Sequence, residues 1–143
     1  MADGASNLDL DVLMRDMGRR ARTAATALAE TTAAQRSAGL TAMAGALKAA
    51  EGDILAANGR DVERARANGL NEALIDRLAL TPARVVAMAE AVSEVAAFPD
   101  PLGVETARWT RPNGLDIARV RTPLGVLAII YESRPNVTAD AAA

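Results

Sequence analysis

The chain has no cysteine and no histidine. Without cysteine there is no disulfide framework and no thiolate nucleophile within these residues. Without either residue a zinc site would fall to carboxylates alone, and no metal is expected. Aromatic residues are scarce, with one Trp, one Tyr and one Phe. Surfaces for nucleic acid combine a basic excess with rings for base stacking. Here 16 basic residues face 18 acidic ones, so no nucleic-acid partner is expected. No apolar run approaches the ~20 residues of a membrane-spanning helix. The opening MADGASNLDLDV is acidic and lacks the basic-then-apolar order of a secretory signal. A soluble, cytoplasmic protein is expected.

What is present is apolar and small. Half of the 143 residues are apolar, and most of those are Ala, Leu and Val. One ordinary domain can be built from this length. Residues 1–7 read as a disordered lead. From Leu10 the apolar residues recur at Leu13, Met14, Met17, Ala21, Ala24 and Leu28, the spacing of one helical stripe. Arg15, Arg19, Arg20 and Arg22 lie mostly off that stripe and read as a solvated face.

Thr32 and Gln35 have capping-box spacing, which predicts a second helix. Leu40, Met43, Ala44, Leu47, Ile54 and Leu55 continue one of its faces. Gly39, Gly45 and Gly52 each weaken it by ~1 kcal/mol, and close helix–helix approach is one reason to keep them. Asn58-Gly59 predicts its end. Asp61 then caps a short helix over 62–67. Asn71 caps another, with Leu74, Ile75 and Leu78 inward. Thr81-Pro82 opens a longer one on the stripe Val85, Met88, Ala89, Val92 and Ala96. Beyond Pro101 the period shortens. Residues 104–111 and 115–121 alternate around Pro112-Asn113-Gly114, which predicts a β-hairpin with neither face cleanly apolar.

The most telling stretch is TPLGVLAIIYESRPNVTAD, residues 122–140. Residues 126–131 are almost wholly apolar and rich in β-branched side chains. That predicts a strand buried on both faces, as in a parallel sheet. The polar turn Glu132-Ser133-Arg134-Pro135-Asn136 follows, and Pro135 fits the first turn of a helix. Ligands of open α/β sheets bind beyond the carboxyl ends of the strands. The final residues read as a helix without a stop signal.

PLGVLAIIYESRPNVTADAAA, with NGLDIARVRTPLGV, NGRDVERARANGL and LIDRLALTPARVVAMAEAV before it, closely resembles the γ-glutamyl phosphate reductase family. That family is a branch of the aldehyde dehydrogenase superfamily. The string YESRPNVT is unusual enough to be a specific signal. The resemblance covers nearly the whole chain but only the opening portion of the family's longer enzyme. It implies an α/β fold: a helical region over 1–101, a hairpin of the oligomerisation type over 102–122, and a strand-turn-helix over 123–143. The last would be the first strand of a parallel nucleotide-binding domain, here incomplete.

The resemblance also implies an activity. The family reduces L-glutamyl 5-phosphate with NADPH, releasing phosphate and L-glutamate 5-semialdehyde, in proline biosynthesis. It implies a homo-oligomer. A cysteine thiolate attacks the acyl carbon, and fixed donors hold the oxyanion. This chain has no cysteine and no glycine-rich dinucleotide fingerprint, so alone it is expected to be inactive. It is expected to supply one wall of the site. Alignment on the proline sets Ser133 nearest the superfamily's oxyanion-donating asparagine, with Asn136 slightly beyond. Arg134 suits a substrate or cofactor phosphate. Glu132 would orient Arg134 or meet the substrate's amino group. A competing reading makes Glu132 and Arg134 a structural ion pair and Ser133 a helix cap. Thr138 and Asp140 read as solvated or packing residues. Other readings of the whole are a different aldehyde dehydrogenase-type enzyme and a non-catalytic helical interaction module.

Overall fold

The computed structural model describes residues 4–143, with side chains from residue 9. The elements in order are α1 (Gly4–Ala29), α2 (Ala33–Ala49), α3 (Glu51–Ala67), α4 (Glu72–Leu78), α5 (Pro82–Ala96), β1 (Glu105–Thr110), β2 (Asp116–Val120) and α6 (Val137–Ala142). They form two compact units. One contains α1 and the hairpin. The other contains α2 to α5 together with α6.

In the first unit α1 starts earlier than expected. Helix begins at Gly4, so the disordered lead is overturned from there on; residues 1–3 lie outside the described residues. Ala5, Leu8 and Leu10 are good helix formers, and extending a helix adds one hydrogen bond per residue. The arginine-rich face is solvated and partly paired within the helix. Arg15 meets Asp11, and Arg19 and Arg20 both meet Asp16. The apolar stripe is real but uncovered, since Leu10, Leu13, Met14, Met17 and Leu28 remain more than half exposed.

The hairpin is antiparallel, pairing Arg108 with Ala118 and Trp109 with Ile117. Its register shifts between Glu105 and Ala107, where Thr106 is the extra residue of a bulge. Gly114 sits at φ 84 and donates its N–H to Arg111 O. Asn113 Oδ1 accepts from Leu115 N. This is the three-residue loop with glycine in the left-handed position. Arg108 bonds Glu105 on its own strand and Asp116 across the hairpin. Glu105 first, then Asp116, raise the Arg108 guanidinium above its ordinary value.

The second unit carries the core. Ala44 of α2, Met88, Ala89 and Val92 of α5 and Ala139 of α6 pack together. Leu40, Met43, Leu47 and Leu80 close around them. Val85, Ile75 and Val92 are fully buried, each stabilising by about 1.5–3 kcal/mol through the apolar surface removed from water. The caps stand where the sequence puts them. Asn71 accepts from Leu74 N at 3.0 Å, and Thr81 accepts from Arg84 N at 3.2 Å with Pro82 at the first helical position.

Several expectations are corrected here. α3 runs unbroken through Asn58-Gly59, so neither the stop at that pair nor a separate helix over 62–67 exists. The helix break falls instead at Ala50, between α2 and α3. Asn58 is buried, and its side chain has a tertiary use. Its Nδ2 donates to Leu78 O at 2.8 Å and its Oδ1 accepts from Leu80 N at 2.7 Å. Gly39, Gly45 and Gly52 do not mark close helix contacts, because a Cβ at each would meet nothing within 4 Å.

The apolar run 126–131 forms no strand. A strand exists only through a partner's N–H and C=O groups. Among the described residues the one sheet is the hairpin, which is complete in itself. The run is consequently uncovered, with Leu127 70% and Ile130 101% exposed. Unpaired backbone beside exposed apolar side chains invites pairing with another chain. The isolated protein is therefore expected to self-associate in light scattering as concentration rises. Ile130→Lys should shift it toward monomer, and a wild-type monomer at high concentration would contradict this.

Candidate functional site

The polar turn after the apolar run is built by an unusual backbone. Ser133 sits at φ 54, in the left-handed region that non-glycine residues seldom occupy. The next residues close a β-turn in which Val137 N donates to Arg134 O at 3.1 Å. Pro135 holds the second position of that turn, where its fixed φ is favourable. Pro135 is thus not in the first turn of the helix as expected; α6 begins at Val137, with Asn136 before it. Tyr131 and Thr138 join their hydroxyls, which ties the segment ahead of the turn to α6.

The four sequence candidates part company at this turn. Arg134 and Asn136 line an open groove together with Pro135 and Asp140. Asp76, Arg77 and Arg84 supply the opposite wall, and Ala87, Met88 and Ala91 of α5 are also in its lining. The volume is about 480 Å³, within the ~300–1,000 Å³ usual for small-molecule sites. Glu132 and Ser133 do not line it. Glu132 is exposed and Ser133 half-buried.

The competing structural reading of the turn fails on geometry. Among the described residues Glu132 and Arg134 form no ion pair, and neither has another side-chain partner. Ser133 caps nothing, since the position before α6 is Asn136, which makes no side-chain cap bond. Asn136 is itself committed, because its Nδ2 donates to Asp140 Oδ2 at 2.8 Å.

Sequence reasoning missed the opposite wall. Arg84 reaches back from α5 over the end of α4. Its Nη1 donates to Asp76 O at 2.5 Å and Ala79 O at 2.7 Å, and its Nη2 meets the Asp76 carboxylate at 3.2 Å. These bonds satisfy carbonyls that the last turn of α4 leaves unpaired. They also fix Arg84 at the groove's edge. Arg77, one residue from Asp76, has no partner among the described residues. The only local signal was the basic pair flanking Thr81-Pro82, and that reads as an ordinary helix end.

The comparisons with known proteins agree with one another. No protein-family model matches the chain. It is 60% identical over 95% of its length to the γ-glutamyl phosphate reductase of Caulobacter sp., covering 32% of that protein. It is 55% identical over 96% of its length to that of Paramagnetospirillum magneticum, covering 33%. The solved γ-glutamyl phosphate reductase of Thermotoga maritima superposes with a TM-score of 0.82 at 41% identity, over 86% of this chain and 30% of that one. The Saccharomyces cerevisiae structure gives 0.83 at 33% identity, over 88% and 32%. Sequence and fold alike make this chain similar to part of a reductase. It resembles the γ-glutamyl phosphate reductases over nearly its whole length, and it spans about a third of theirs. The resemblance read from YESRPNVT is borne out.

Proposed function

We propose that this chain works as part of an NADPH-dependent reductase. Its substrate is L-glutamyl 5-phosphate, its products L-glutamate 5-semialdehyde and phosphate, and its setting cytoplasmic proline biosynthesis as a homo-oligomer. The observation that carries this reading is identity of 53–60% to named γ-glutamyl phosphate reductases over nearly the whole chain. All the relatives described carry that one name, so nothing favours a different aldehyde dehydrogenase-type enzyme or a non-catalytic helical module.

Within that function the turn at Ser133 is one wall of the site. Arg134, unpaired and at the groove, offers a planar fork to a phosphate. Asn136 gives one of its two Nδ2 N–H groups to Asp140 and keeps the other, so Ser133 and Asn136 both stand as oxyanion donors. Glu132, free of Arg134, is available to an ammonium group. The left-handed backbone at Ser133 supports a functional role, since strain of ~1–3 kcal/mol tends to persist where geometry is used.

The cofactor is a different matter. A dinucleotide is held across a parallel sheet beside a glycine-rich turn. The described residues contain one antiparallel hairpin, and their left-handed glycines, Gly69, Gly103, Gly114 and Gly125, stand singly. They do not fit the cofactor, so no hydride step is assigned to them.

The test is a chimera in which this chain replaces the matching third of the Caulobacter enzyme. It should reduce NADP⁺ with glutamate semialdehyde and phosphate, whereas the 143-residue chain alone should show no turnover. A folded chimera without activity, beside an active parent, would refute the reading.

A further inference from the structure

Asparagine followed by glycine occurs three times, at Asn58-Gly59, Asn68-Gly69 and Asn113-Gly114. The pair is chemically labile, because glycine has no side chain to obstruct its own nitrogen as that nitrogen approaches the asparagine Cγ. The three pairs are placed very differently. Asn58 is buried inside α3, its Nδ2 donating to Leu78 O and its Oδ1 accepting from Leu80 N, and Gly59 lies within the same helix. Asn68 is exposed at the end of α3, but the backbone beside it is doubly tied. Gly69 N donates to Arg66 O and Leu70 N to Ala65 O, both at 3.0 Å, which closes the helix C-terminus. Asn113 is exposed in the hairpin loop. Its Nδ2 has no partner among the described residues, and its Oδ1 accepts from Leu115 N at 3.2 Å.

That last bond sets up a reaction. It curls the side-chain amide over its own backbone, which keeps Cγ on the side of the Gly114 nitrogen. It also holds an N–H donor on the oxygen that becomes negative when Cγ is attacked. We propose that Asn113 is the site at which this chain deamidates. Hydroxide takes the proton of Gly114 N, and that nitrogen attacks Cγ of Asn113. The N–Cγ bond forms, the Cγ–Nδ2 bond breaks, and ammonia leaves with a proton from water. Water then opens the five-membered imide to aspartate or isoaspartate. Water is the one co-reactant, and nothing is oxidised or reduced. One hydrogen bond stands in the way, from Gly114 N to Arg111 O at 2.9 Å. A loop on a two-stranded hairpin opens readily, whereas freeing Gly69 N unwinds the end of a 17-residue helix. The isoaspartyl product adds a methylene to the loop backbone. The longer loop no longer fits the closure in which Arg111 N donates to Leu115 O at 2.8 Å, and the hairpin loosens.

Incubation of the 143-residue chain at mildly alkaline pH, followed by peptide mapping with mass spectrometry, reads each asparagine separately and works even if the chain self-associates. Conversion at Asn113 is expected to run about tenfold faster than at Asn68, the difference of one further hydrogen bond to open. Asn58 should stay intact. In urea the three pairs lose their different surroundings, and their rates should converge. The rate at Asn113 should rise with hydroxide concentration. Trp109, the one tryptophan, faces Ile117 across the hairpin. Its emission should shift as isoaspartate accumulates and hold steady in Asn113→Gln, whose longer side chain forms the imide far more slowly. Asn113 left intact in the folded chain, Asn68 or Asn58 converting as fast, or the same ranking in urea would each overturn the proposal. An emission shift that persists in Asn113→Gln would overturn its consequence for the hairpin.

Discussion

Asn58→Leu is expected to destabilise the helical unit by about 3 kcal/mol. The side chain is only 7% exposed. It reaches from α3 to both sides of the corner after α4, donating to Leu78 O and accepting from Leu80 N. Leucine is close in size but has neither polar atom. Leu78 O and Leu80 N would be left without their partner, at roughly 1–3 kcal/mol for each unsatisfied group. Asn58→Asp is the sharper control. It keeps the acceptor for Leu80 N but turns a carboxylate oxygen toward Leu78 O, so it should also lose stability. Urea unfolding followed by far-UV circular dichroism measures both. A midpoint unchanged in Asn58→Leu would show that the corner is held by the packing of Ile75 and Val85 alone. The corner carries Arg77, Ala79 and Arg84 of the groove, so its loosening should also weaken whatever binds there.

Asn58 also shows where reading a sequence stops. Asn-Gly inside a helical pattern is a stop signal because asparagine and glycine both tolerate the left-handed region that ends helices. The same amide can instead serve groups 20 and 22 residues away, and nothing local tells the two apart. The caps at Asn71 and Thr81 were legible because each bonds three residues along its own chain. The α5 stripe was legible because Val85, Met88, Ala89 and Val92 share one helical face. The apolar run 126–131 was legible as apolar. Its pairing was not, since a ladder depends on residues elsewhere. The site divides in the same way. YESRPNVT drew attention to Arg134 and Asn136, both of which reach the groove. Arg77 and Asp140 face that groove only because of how α4, α5 and α6 lie, and no spacing in the sequence encodes it.

Arg134→Lys, in a complete reductase carrying this segment, is expected to lower kcat/KM by about 2 kcal/mol, or roughly thirtyfold. The expectation starts from what Arg134 lacks. It is exposed, lines the groove, and has no hydrogen bond or ion pair from its side chain among the described residues. Glu132, two positions before it, does not engage it. A guanidinium that supports no part of the fold can be changed without cost to the fold, so the melting temperature should not move. Its value would lie in geometry. Two parallel N–H groups match two phosphate oxygens, and lysine supplies the charge without the fork. If the contact strengthens as phosphate departs, the loss appears in kcat as well as in kcat/KM. If substrate and transition state are held equally, KM rises and kcat is spared. Steady-state kinetics and a thermal melt on one variant separate these outcomes. Unchanged kinetics with a lowered melting point would make Arg134 a structural residue after all. The strained Ser133 backbone would then need another use, because a left-handed serine ahead of Arg134 and Pro135 serves little purpose unless the turn must point something in a fixed direction.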